Sequence, residues 1–298
     1  MESMLRKSGY QSVIVSTDHV VDLRDTIEGG RRAGLIDAGV YTQYVSYFEK
    51  MQRQEIGWAR SIIAVAVPRP MLELVFNIDG KRKSGIIPPT YEHSIDGILA
   101  KDLEDFLRPR GFAVSPASLP QKLLAVRSGL AKYGKNNITY VQGMGSFYRL
   151  LSFYTDLACD SDTWLEPQML DECARCTACM KKCPTGAIDS ERFQLHAELC
   201  LTYYNESSEP FPEWIKKTWH HCLIGCLNCQ RFCPLNKDVR SWTVPFGEFT
   251  EEETGLLLNG VPKKDLPAGL VSKLEYTSLL DDPVMLARNL RTIFEPKD

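Results

Sequence analysis

Apolar residues concentrate in two short runs within the first quarter of the chain. Residues 12–16 (SVIVS) and 61–67 (SIIAVAV) are rich in β-branched side chains, the second has no polar alternation, and both predict buried strands. Between them, 20–34 and 41–54 carry weaker helical periodicity and predict helices. The clearest amphipathic stretch comes next. Ile95, Ile98, Leu99, Leu103, Phe106 and Leu107 recur at helical spacing, Ser94 offers a cap, and Arg108, Pro109 and Gly111 supply a stop. Downstream, 112–114 predicts a strand and 119–130 a helix, while 138–141 and 147–154, joined by Gln142-Gly143-Met144-Gly145, predict a hairpin. From 159 to 240 the periodic apolar pattern all but vanishes. It returns at the end, where Thr250 caps a predicted helix reaching 258 and 283–294 predicts another.

The stretch without periodicity holds all ten cysteines, from Cys159 to Cys233. Small metal modules have this character, because bound metal replaces much of the apolar core. The pattern therefore divides the chain into an α/β (α+β) domain over 1–158, a metal-binding segment over 159–240 and a helical tail over 241–298. Composition narrows the picture only slightly. The chain is 44% hydrophobic and 24% charged, as soluble globular proteins are, and its formal net charge of -3 gives no electrostatic argument for nucleic acid or anionic membrane as partner. Residues 1–10 are charged and lack the apolar stretch of a secretory signal, and no apolar run follows the Arg31-Arg32 pair. The longest apolar run, 62–68, is far shorter than the ~20 residues that cross a bilayer. A cytoplasmic, reducing location is expected, and there clustered thiols mean metal or catalysis rather than disulfides.

The cysteine spacing is specific. Cys173, Cys176, Cys179 and Cys183-Pro184 form C-x2-C-x2-C-x3-C-P, the run in which three cysteines hold one 4Fe–4S cubane and the fourth reaches a second. A structural zinc site needs only four ligands in all and leaves the other cysteines unused. The second run, Cys226, Cys229 and Cys233-Pro234, lacks one ligand at its usual position. By the crossing rule Cys173, Cys176 and Cys179 join Cys233, while Cys183 joins Cys226, Cys229 and one more cysteine, for which Cys200 and Cys222 are the candidates. For Cys159 and Cys222 a buried or inert thiol is the expected role.

With these runs in view, the chain resembles epoxyqueuosine reductases, a family of cobalamin-dependent iron–sulfur reductases related to reductive dehalogenases. The resemblance rests on the first cysteine run with its Thr185-Gly186-Ala187-Ile188 continuation, on Cys200-Leu201-Thr202-Tyr203-Tyr204, and on Gly225-Cys226 through Cys233-Pro234. Upstream it takes in Ala59-Arg60-Ser61-Ile62-Ile63, Arg127-Ser128-Gly129-Leu130, Tyr133-Gly134-Lys135-Asn136, Gly145-Ser146-Phe147 and Thr155-Asp156-Leu157. It implies a nitroreductase-like domain holding cobalamin beside two 4Fe–4S clusters, with Asn136, Ser146, Leu150 and Thr202 near the corrinoid. It also implies Cys200, rather than Cys222, as the eighth ligand.

The sequence departs from the resemblance at one position. Counted back without gaps from Gly129-Leu130, the family's proton-donating aspartate falls on Ser115, and a hydroxyl is no proton source near neutral pH. Tyr91, Tyr133 and Tyr140 are substitutes to consider, while His93, His220 and His221 are assigned no cobalt. The reading favoured is an oxidoreductase in which electrons pass from two 4Fe–4S clusters to cobalamin and on to an unassigned substrate, fed by a low-potential donor such as a ferredoxin or flavodoxin. A non-catalytic electron carrier or corrinoid-reactivating protein is one alternative. A tRNA epoxyqueuosine reductase is another, and Ser115 and the near-neutral charge both weigh against tRNA as a partner.

Overall fold

The computed structural model describes residues 1–47 and 57–295. Helix α1 (Glu2–Lys7) leads into strand β1 (Gln11–Ser16), and α2 (Val20–Arg32) and the single turn α3 (Ala38–Val40) precede β2 (Ser61–Pro68). A tight hairpin, β3 (Met71–Ile78) and β4 (Lys81–Ile87), follows. Helix α4 (Ser94–Leu107) then leads to β5 (Val114–Pro116), α5 (Gln121–Arg127), the short strands β6 (Lys132–Tyr133) and β7 (Thr139–Tyr140), and β8 (Tyr148–Thr155). The cysteine-rich segment has only the short helices α6 (Ala178–Lys182), α7 (Leu201–Asn205) and α8 (Asn228–Arg231). Strand β9 (Thr243–Phe249) comes next, and α9 (Glu251–Leu258), α10 (Ala268–Leu274) and α11 (Pro283–Phe294) close the fold.

The unbroken apolar run of β2 has a direct physical cause. It is an inner strand of an antiparallel sheet ordered β1-β2-β8-β5, covered on both faces. Ile62, Ala64 and Ala66 face a core shared with α2 and α5, which contribute Val20, Leu23, Leu124 and Ala125. Ile63, Val65 and Val67 face Ile95, Leu99, Leu103 and Leu107 of α4 and Leu5 of α1. The spacing read from α4 is therefore a real apolar stripe, although Ile98 is left exposed.

A second sheet, ordered β4-β3-β9, joins two distant parts of the chain, with β9 running parallel to β3 from Met71↔Thr243 to Phe76↔Phe249. Phe76 and Phe249 stack at 4.8 Å between ring centroids, and α9, α10 and α11 close a separate core over them. Residues 241–298 are thus no purely helical tail, because their first element completes this sheet. The helices read near 250 and 283 are present, and Thr250 forms a full capping box with Glu253.

Several expectations are corrected. The hairpin predicted over 138–154 does not form: β7 pairs with β6, β8 pairs with β2 and β5, and a single bridge, Val141↔Gly145, spans the connection. The predicted cap Ser94 is the first helical residue, and its N–H donates to Glu92 Oε1 at 2.8 Å. The strand expected at 112–114 lies at Val114–Pro116, and the helix expected over 119–130 stops at Arg127, ahead of Gly129 at φ +79°. Of the helix predicted over 41–54, residues 41–45 form a π-helical turn and the part beyond 47 lies outside the described residues. Among the described residues no helix is long and apolar enough to cross a membrane.

Candidate active site

The turn between β6 and β7 carries the contact between the α/β body and the first cysteine run. Lys135 donates its backbone N–H to Cys173 Sγ at 3.5 Å and its ammonium to the Cys176 carbonyl at 2.9 Å. Cys173 is an electrostatic neighbour of Cys176 and Cys233, and Cys179 of Cys173, Cys176 and Cys233. The short helix α6 ends at Cys183, whose extended backbone (φ -75°, ψ 111°) turns away ahead of Pro184. The fourth cysteine of the run accordingly leaves the first three. Cys183 neighbours Cys200, Cys226 and Cys229 instead. The thiols thus gather into two groups, Cys173, Cys176 and Cys179 with Cys233, and Cys183 with Cys200, Cys226 and Cys229, with Cys229 also near Cys179.

The donor chemistry fits iron–sulfur clusters. Burial raises the thiols of Cys173, Cys179 and Cys200 and pushes that of Cys226 up to about 12. Without a metal these thiols stay protonated at neutral pH, and the positive charge of bound iron is what makes four adjacent thiolates stable. Among the described residues no three His, Cys, Asp or Glu side chains converge on a single metal ion. Tetrahedral zinc would hold its sulfurs about 3.8 Å apart, whereas a cubane with iron at four corners spreads them wider. Cys222, 1% exposed, packs with Met71, Phe147 and Leu227. Cys159 donates to the carbonyls of Ile14 and Ser161 at 3.2 Å, away from either set.

The second set opens onto a cavity of about 390 Å³. Cys183, Cys200, Cys226 and Cys229 all form its wall, so a cluster held by them would take up part of the space, while no cysteine of the first group is among its lining residues. Asn136, Ser146, Leu150 and Thr202 meet in the same cavity, with Ile138, Ala187, Ile188 and Leu201 making much of the rest of its lining apolar. Asn136 and Ser146 also brace the second cysteine run. Asn136 Nδ2 donates to the Cys229 carbonyl at 3.3 Å, and Ser146 Oγ donates to Gln230 Oε1 at 3.0 Å and accepts from Asn236 Nδ2 at 2.8 Å. Thr202 donates to Cys200, and Thr185 Oγ1 lies 3.4 Å from Cys183 Sγ. Hydrogen bonds to cluster sulfur are among the factors that set reduction potential.

Comparison with known proteins agrees with this geometry. The family described as "4Fe-4S double cluster binding domain" matches residues 172–236. Epoxyqueuosine reductase of Cellulophaga algicola is 28% identical over 204 residues, 63% of this chain and 64% of the relative; that of Bacillus subtilis is 27% identical over 190 residues, 60% of this chain and 48% of the relative. The chain is a relative of the epoxyqueuosine reductases. Its fold is theirs too: a crystal structure of an epoxyqueuosine reductase with an epoxyqueuosine-modified tRNA-Tyr stem loop superposes with a TM-score of 0.68, at 19% identity, over 98% of this chain and 80% of that one. The matched segments span about a third to two thirds of the length of the curated epoxyqueuosine reductases.

Against that background the remaining candidates fall into place. Ser115 is not in the cavity. It sits on β5 opposite Tyr154 of β8 and borders a shallow hollow with Gly97, Ala100 and Lys101. The β8 residues that do line the cavity are Tyr148, Arg149 and Leu150, and the nearest of them along the strand, Leu150, is four positions from Tyr154, about 13 Å. A serine outside the cavity does not by itself bear on proton delivery into it. The three histidines have structural partners: His93 with Ser278 at 2.6 Å, His220 with Asn205 at 2.9 Å, and His221 accepting from Leu227 N at 3.1 Å. None of them lines the cavity. Tyr133 packs against Phe193 outside it, and Tyr140 accepts from Asn136 at 3.0 Å and lies against Cys233.

Tyr91 differs from the other two tyrosines. It lines the cavity, and its hydroxyl donates to Glu206, the residue that ends α7. Gly225, at φ +67°, makes room for it: a Cβ there would lie 2.5 Å from Tyr91 Oη. Sequence reasoning missed Glu206 altogether. A glutamate six residues beyond a cluster ligand belongs to no motif, and its partner Tyr91 is distant in sequence.

Proposed function

We propose that this chain reduces epoxyqueuosine in tRNA, using two 4Fe–4S clusters and a cobalamin held in the cavity. The observation that carries the proposal is that four thiols of one set form a wall of the same cavity that Asn136, Ser146 and Leu150 line from the α/β body and Thr202 from the cysteine-rich segment. A reducing centre against a mainly apolar cleft suits a macrocycle with apolar faces. When bound, cobalamin supplies low-valent cobalt as the reductant at the substrate. The chain's own residues would hold it: Ile138, Leu150, Ala187, Ile188 and Leu201 would supply apolar contact, Asn136 and Ser146 fix the cysteine loop beside the cavity, and no histidine is among the described residues that line it. The substrate comes from the relatives' names and from the tRNA stem loop in one fold neighbour. The first set, away from the cavity, suits electron entry from a low-potential donor such as a ferredoxin or flavodoxin. A pure electron carrier would have no use for a cavity against its second cluster.

The test is anaerobic. Protein loaded with iron, sulfide and cobalamin is mixed with epoxyqueuosine-containing tRNA and a low-potential chemical reductant, and the nucleosides are analysed by mass spectrometry. The expected product has lost one oxygen, and the bound cobalamin spectrum shows its benzimidazole base displaced with no imidazole in its place. Fully loaded protein that leaves the nucleoside unchanged would sink the proposal.

A further inference from the structure

Reduction of an epoxide to an alkene takes up two electrons and two protons and releases water. If the cavity performs that reaction, protons have to reach it, yet no Asp, Glu or His is among the described residues that line it. The protic side chains on its wall differ in what lies behind them. Tyr148 donates to Thr139 Oγ1 at 2.7 Å and Lys122 to the Asn137 carbonyl at 3.2 Å, and neither acceptor stores a proton. Tyr91 donates to Glu206, a carboxyl group. On its far side Glu206 is hydrogen-bonded by Tyr44, a half-buried residue whose hydroxyl also accepts from Gln43 at 3.1 Å. Tyr44, Glu206 and Tyr91 thus form an unbroken line from the outer part of the fold to the cavity.

We infer that Tyr44, Glu206 and Tyr91 form a proton relay into the cavity, with Tyr91 as the group that meets the substrate. The inference rests on the reductase reading. When Glu206 carries a proton it donates to Tyr91 Oη, which turns the phenol O–H toward the cavity. As the carbon–oxygen bond breaks, Tyr91 gives its proton to the departing oxygen and takes one from Glu206, and Glu206 is refilled from water through Tyr44. Two passages supply both protons. The two electrons come from the clusters, which an external low-potential iron–sulfur or flavin protein refills. Burial holds the Glu206 carboxyl above the usual carboxylate range, which suits a group that stores a proton.

The experiment pairs turnover with infrared spectroscopy of the cluster-loaded protein and its Tyr91→Phe, Glu206→Gln and Glu206→Asp variants. Unchanged iron content and unchanged cluster reduction show that each variant is folded and electron-competent. Tyr91→Phe should lower turnover by about 10^2-fold or more and Glu206→Gln by about tenfold, with Glu206→Asp recovering part of the loss. Independently of turnover, the unsubstituted protein should show a protonated-carboxyl band at neutral pH that is absent in Glu206→Gln and shifted in Tyr91→Phe. Wild-type turnover in Tyr91→Phe, or no such band, would overturn the relay. If the unsubstituted protein fails to turn over, the substrate reading falls instead. The band then decides the relay alone: present and sensitive to Tyr91 it supports the wire, absent it removes it.

Discussion

Cys200 and Cys222 show how a single position separates ligand from filler. Both are cysteines near the second run, and spacing alone left both as candidates. The structure puts Cys200 in the cavity wall with Thr202 donating to it, and Cys222 in an apolar pocket with Met71, Phe147 and Leu227. Cys200→Ser should therefore cut iron from about eight to about four per chain after anaerobic reconstitution, while Cys222→Ser should leave about eight. Loss of iron in Cys222→Ser alone would reverse the assignment. Residues of this kind were partly legible from sequence, because a cubane demands thiols at fixed short separations. Glu206 was not legible: its role depends on Tyr91 and Tyr44 arriving from distant segments, and only folding creates that proximity.

Among the elements, those with purely local causes were readable. The α4 stripe and the Thr250 capping box follow from neighbours three and four residues apart. The β3–β4 hairpin was missed even though Asp79-Gly80 signals it, with φ of 50° and 70° in the left-handed region that such two-residue turns require. The false hairpin at 138–154 has the opposite lesson, since Gly145 serves approach to the end of the second cysteine run rather than strand reversal. Gly145 has φ +59°, and a Cβ there would lie 2.3 Å from Asn236 Oδ1, the acceptor for Ser146 N. Gly145→Ala should destabilise the protein by about 2–4 kcal/mol, from left-handed strain plus a disturbed buried hydrogen bond, and should lower retention of the second cluster. Gly255→Ala in α9, where a Cβ meets nothing within 4 Å, is the control and should be neutral or stabilising by up to about 1 kcal/mol. Thermal midpoints at one scan rate, with iron content, would check both.

For the whole molecule, the order of the parts suggests one direction of electron flow, with the set farther from the cavity filling first and the set at its wall emptying into it. The mixed α/β class and the metal segment were evident from the chain, whereas the second sheet was not, because parallel pairing between remote strands leaves no short-range trace. That pairing also bears on how the protein is made. Asn77 donates to the carbonyl of Phe249, 172 residues further on. At roughly 5–20 residues per second, a ribosome leaves Leu72, Leu74 and Phe76 without that partner for ~10 s or more. Both cysteine runs emerge during the wait, and Leu223, just ahead of the second run, packs into the same core and bonds to Ile86 at 2.8 Å. Metal delivery during synthesis would then govern whether the β3–β4 hairpin and β9 can lock together at all. A pulse-chase experiment in cells treated with an iron chelator should show the newly made chain degraded several-fold faster than in untreated cells, and Cys200→Ser should reproduce this without the chelator. The abundance of the protein, and not only its activity, would follow the iron supply.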